Sequence, residues 1–89
     1  MKRVTIHYAG RVQGVGFRAT AARVAAGFEV AGHVQNLPSG EVRLVAQGSA
    51  EQVEAFVQRV GEAMRRNITS MDVREGDVVD GLTGFSVRY

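Results

Sequence analysis

Residues 29–48, EVAGHVQNLPSGEVRLVAQG, decide the architecture of this 89-residue chain. Val30 and Val34 stand two steps either side of Gly32, and Val42, Leu44 and Ala46 share one parity of the following run. Period two is the signature of half-buried strands. Between the runs, Leu37-Pro38-Ser39-Gly40 supplies the proline and glycine of a tight turn. The two runs therefore form a hairpin, and their neighbours must be arranged around an antiparallel pair.

Towards the N-terminus, RVTIHYAG (3–10) alternates Val4, Ile6 and Tyr8 against Thr5, His7 and Ala9, which makes it another strand. The glycine-rich stretch GRVQGVGFR (10–18) follows, and then RATAARVAA (18–26), alanine-rich and free of proline. That composition predicts a helix starting near Arg18. Gly27 is placed to end it in the left-handed conformation, with Phe28 packing back. Beyond the hairpin, Ser49 with Gln52 makes a capping box, and Val53, Phe56, Val57, Val60 and Met64 form one apolar helical stripe. A fourth strand lies within ITSMDVREG (68–76), with Met71 and Val73 expected inward. GFSVRY (84–89) closes the chain as a strand or edge segment, with Phe85, Val87 and Tyr89 on one face.

The order is strand, helix, strand, strand, helix, strand, with a short final strand. This is an α+β fold of the split βαβ type, an antiparallel sheet with both helices on one face. The right-handed crossover rule leaves little further choice of topology.

Eighty-nine residues form one domain, 1–89, and a domain of this size buries about 60–65% of its unfolded surface. The chain has no cysteine, so disulfides and thiolate metal sites are excluded and a reducing cytoplasm fits. No stretch has the length of a membrane span or the apolar core of a signal peptide. The net charge of +2 does not argue for nucleic acid. Residues 1–48 carry six cations against two acids (6 − 2 = +4) and residues 49–89 five against seven (5 − 7 = −2), which suits a small anion in the first half or an ordinary solvated surface. Split βαβ sheets that bind RNA stack bases on central-strand aromatics. Here VRLVA (42–46) has none and the first strand offers only Tyr8. The chain is read as a monomer acting on a small molecule.

The glycine-rich stretch joins a strand end to a helix start, where free N–H groups welcome an anion. Gly14 and Gly16 can turn successive N–H groups toward one point, and Arg18 adds a forked cation. The same residues also suit a plain tight turn with a solvated arginine, and the nine positions alone leave both readings open. The Gly-Lys-Ser/Thr ending of a Walker loop is absent. GVGFRA (14–19) meets the loose dinucleotide fingerprint through Gly14, Gly16 and Ala19, but the hairpin and the short chain rule out a doubly wound sheet. Asn36, ending the second strand, is either a turn former or, if the fold brings it to the loop, an amide able to hold a water. His7 and His33 are isolated, and no triad or metal-ligand spacing stands out. Asp72, Glu75, Asp77 and Asp80 read as a solvated loop and strand edge.

GRVQGVGFR, GHVQNLPSGEV and GFSVRY, in this order and spacing, together resemble the acylphosphatase family over nearly the whole chain. The resemblance implies a ferredoxin-like sandwich that hydrolyses acyl phosphates to a carboxylate and inorganic phosphate, without metal or cofactor. It implies that Arg18 binds the phosphate together with the main chain of Gln13, Gly14, Val15, Gly16, Phe17 and Arg18. It further implies that Asn36 orients the attacking water. Ala19 stands where many relatives carry an aromatic residue, Ser39 where an acidic one is usual, and residues 64–81 lack a Gly/Pro-rich link. The alternative is a domain of this type that binds phosphate or carbamoyl phosphate with little hydrolysis.

Overall fold

The computed structural model describes residues 1–89. Its elements are β1 (Lys2–Gly10), α1 (Phe17–Ala25), β2 (Ala31–Asn36), β3 (Val42–Gly48), α2 (Ala50–Ala63), β4 (Ile68–Gly76) and β5 (Phe85–Arg88). The sheet order is β4-β1-β3-β2-β5. The first four strands pair antiparallel, as the alternation predicts. β5 is a fifth strand and runs parallel to β2, so the complete sheet is mixed.

Register explains the core. Val73, Ile6, Leu44, Val34 and Val87 lie opposite one another in a row across all five strands, and opposed residues share a face. On that face both helices bury their apolar stripes: Phe17, Ala21 and Ala25 from α1, and Val53, Phe56 and Val60 from α2. Gly32 is the second residue of β2, at φ 151°, where any side chain would collide with the Val45 carbonyl. Glycine is required there by close backbone approach.

Four details differ from the sequence reading. Gly27 is not left-handed; α1 closes through Gly27 N–H to the Val24 carbonyl and Phe28 N–H to the Ala25 carbonyl, each 3.0 Å. Such i→i−3 bonds tighten the last turn without positive φ. Phe28 does pack inward, its ring 6.1 Å from that of Phe56. The capping box is half made: Ser49 Oγ accepts from Gln52 N–H at 3.2 Å, while Gln52 Oε1 accepts from Glu29 N–H at 2.9 Å. Gln52 thus ties α2 to the entry of the hairpin, and β2 begins at Ala31 rather than Glu29. Met71 and Val73 point to the helix side but remain 45% and 50% exposed, because β4 is the sheet edge and α2 packs over β1 and β3.

β4 and β5 lie at opposite edges, so residues 77–84 must cross the sheet. They cross the face away from the helices, where Gln47 holds them. Its Nε2 donates to the Val79 carbonyl at 2.7 Å and its Oε1 accepts from Val79 N–H at 2.9 Å and from Arg3 at 3.1 Å. Gln47 is 3% exposed. Nothing local in the sequence marks it. Gln47→Met keeps the length and removes the bonds; unfolding in urea should show a loss of about 1–2 kcal/mol, the net worth of two hydrogen bonds whose Val79 partners are half exposed.

Candidate active site

The stretch between β1 and α1 is built from the features that favour an anion. Gly14 and Gly16 are left-handed, at φ 74° and 78°. A Cβ at either would meet nothing within 4 Å, so glycine serves the backbone angle and not the space. Gly16 is also the N-cap of α1 and contributes no side-chain cap, and no acid stands in the first turn. The first helical bond is Thr20 N–H to the Gly16 carbonyl, at 2.9 Å. The seven main-chain N–H groups of residues 13–19 donate to no protein acceptor. Uncapped amides at a helix N-terminus are an anion-binding surface.

Phe17 fixes this loop to the body of the fold. Its ring is 2% exposed and lies 4.8 Å from that of Tyr8, at the far end of β1. The next residue, Arg18, is thereby turned outward at the start of α1. Its Nη1 donates to the Arg88 carbonyl at 3.1 Å, and its guanidinium lies 4.7 Å above the Tyr89 ring. Both contacts orient the fork while leaving donors free.

A cleft of about 220 Å³ opens here, lined among others by Gly14, Gly16, Arg18 and Ala19 from the loop and helix, Asn36 from β2, and Tyr89. The fold therefore brings Asn36 to the glycine loop across 18 residues of sequence separation from Arg18 (36 − 18 = 18). The reason is the hairpin. β2 runs antiparallel to β3 and parallel to β5, which delivers the end of β2 and the end of β5 to the N-terminus of α1. Two of the loop residues offer the cleft no side chain, which leaves the reading of their main-chain amides untouched. The Gln13 side chain turns away to the β2–β3 connection, and Val15 is exposed without lining the cleft. Phe17 lines it as well, although the residue is almost wholly buried. Val87 and Tyr89 are cleft residues the sequence reading did not name as such, and the Arg88 carbonyl between them holds Arg18. An aromatic at the end of the closing GFSVRY segment is the signal that could have found them.

Both histidines are remote from this cleft. His7 and His33 alternate with core residues and so face the side of the sheet away from the helices. Partial burial lowers the His33 pKa from its ordinary value of 6.5, and the Arg88, Arg43 and Arg3 guanidiniums push it the same way. The sign follows by linkage: as pH falls through about 6.5 the unfolded chain takes up this proton first, so stability is greater above that pH and declines below it. His33→Gln should flatten the fall in urea midpoint between pH 7.5 and pH 5. An unchanged slope would assign it elsewhere.

Comparison with known proteins places the chain. The acylphosphatase family model matches residues 4–87.

The chain belongs to the acylphosphatase family.

An acylphosphatase of Methylococcus capsulatus is 49% identical over 89 residues, covering 98% of this chain and 96% of that one. The crystal structure of acylphosphatase from Bacillus subtilis superposes with a TM-score of 0.88 at 32% identity, each chain fully covered. The structure of HypF from T. kodakarensis also contains this domain, at TM-score 0.84 and 28% identity, covering all of this chain and 12% of that one. The ferredoxin-like acylphosphatase fold is thus shared by free-standing chains and by a segment of a much larger protein.

Proposed function

We propose that this chain hydrolyses the carboxyl–phosphate bond of acyl phosphates. The phosphoryl group sits on the main chain of residues 13–18 and the Arg18 fork, and Asn36 holds the attacking water. The observation that carries this reading is the run of seven amides without a protein acceptor, five of them on residues that line the cleft with Asn36.

Phosphoryl transfer needs chiefly positioning and charge stabilisation at the three equatorial oxygens. Fixed amides and a guanidinium provide the second, each well-aimed donor worth roughly 2.7–4 kcal/mol. Asn36 provides the first, because a primary amide can accept a hydrogen bond from water and donate one to a phosphoryl oxygen. Water attacks phosphorus, the bond from phosphorus to the acyl oxygen breaks, and the carboxylate departs with that electron pair. Since no histidine, aspartate or glutamate side chain lines the cleft, the water proton passes to a phosphoryl oxygen. An acyl phosphate dianion and water then yield one carboxylate and one dihydrogen phosphate, which balances charge and atoms. A carboxylate is a good leaving group, so no acid is required to protonate it.

No helix is long and apolar enough to cross a membrane. The absence of cysteine suits a reducing compartment, and we place the enzyme in the cytoplasm as a monomer acting on a small molecule. The test is hydrolysis of an aroyl phosphate by the purified chain, followed by its ultraviolet absorbance in the presence of EDTA. Carboxylate and phosphate should appear in equal amounts. Competitive binding of inorganic phosphate without turnover would convert the reading to the binding-only alternative.

A further inference from the structure

We propose that the Gln13 side chain is a positioning residue for hydrolysis, locking the connection that carries Asn36 onto the phosphate-binding loop. This inference rests on the roles just given to that loop and to Asn36.

Gln13 belongs to the stretch with free amides, but its side chain leaves the cleft. Nε2 donates one hydrogen to the Leu37 carbonyl at 2.8 Å and the other to the Glu41 carbonyl at 2.9 Å. Leu37 N–H also donates to the Glu41 carbonyl, at 2.8 Å, closing the turn between β2 and β3. The Gln13 amide therefore grips both ends of this turn at once. Asn36 is the last residue of β2 and immediately precedes Leu37. The two bonds from Gln13 are the only hydrogen bonds that join residues 11–16 to residues 36–41. Ladder pairing holds Asn36 to Val42 on the sheet side, but only Gln13 bonds the turn to the loop that would carry the phosphate.

The residue type fits this task. Two carbonyl acceptors converge on one atom, and a primary amide nitrogen offers two hydrogens. Glutamate in its ionised form offers none and sets an anionic oxygen against both carbonyls. Asparagine is one methylene shorter. Reaction rates depend steeply on the alignment of water with phosphorus, and a displacement of 1 Å can cost about 100-fold. A clamp between the group that holds water and the group that holds phosphate sets that alignment without touching either ligand.

The experiment measures aroyl phosphate hydrolysis and its inhibition by inorganic phosphate for the wild type, Gln13→Met, Asn36→Ala and the double variant. For Gln13→Met, kcat should fall about 10- to 100-fold, while KM and the inhibition constant for phosphate stay within about twofold. The double variant should turn over no more slowly than Asn36→Ala alone, since Gln13 acts through Asn36. Additive losses, or weakened phosphate inhibition with kcat retained, would overturn the proposal. Failure of the Asn36 reading itself is separately visible, as wild-type turnover by Asn36→Ala. Should Gln13→Met not fold, Gln13→Glu serves instead. As pH falls, its carboxyl becomes protonated and regains one donor, so kcat relative to wild type should recover. A flat ratio across that range counts against the clamp.

Discussion

Replacing Arg18 by alanine should weaken competitive inhibition by inorganic phosphate by at least about 100-fold and take acyl phosphate hydrolysis close to background. The forked guanidinium can give a phosphoryl group two charge-assisted bonds, each worth about 1.5–3 kcal/mol, and the loss of both corresponds to about 100- to 20,000-fold. Removal also frees the Arg88 carbonyl and the Tyr89 ring, which otherwise steer the side chain. Arg18→Lys should recover little, because an ammonium keeps the charge and loses the fork. The measurement is the phosphate inhibition constant for all three proteins. Equal constants in wild type and Arg18→Ala would move the phosphate site away from α1.

Asn36→Ala should separate binding from chemistry. The main-chain amides and Arg18 remain, so phosphate should inhibit within about twofold of its wild-type constant. With the water no longer oriented, kcat should fall about 100-fold or more, the scale set by the loss of a near-attack arrangement. Steady-state kinetics with phosphate titration read both quantities from one preparation. If KM rises while kcat holds, Asn36 contacts the substrate and some other group prepares the water. The two substitutions thus test different halves of one site, and each has an outcome the other cannot imitate.

Much of the molecule is written locally. The parity of Val4, Ile6 and Tyr8, of Val42, Leu44 and Ala46, and the stripe from Val53 to Val60 select strand or helix through neighbours two to four residues away. Gly14 and Gly16 ahead of a helix mark a left-handed loop for the same reason, since the backbone angles and the uncapped amides belong to consecutive residues, although those residues alone suit a plain turn as well as an anion. The order of these elements then restricts the topology to the split βαβ arrangement.

Tertiary structure alone decided what lies across that loop. The partners are Asn36 in the same cleft, the Arg88 carbonyl on Arg18, and the turn gripped by Gln13. It also decided which side residues 77–84 take, through Gln47 and Val79, and left Met71 and Val73 uncovered at the edge although their parity is inward. Each of these depends on groups 18 to 70 residues apart, or on how far a helix reaches over a sheet edge. No periodicity within a few residues encodes such distances, because they are fixed only when strands choose their neighbours and the whole sheet is assembled.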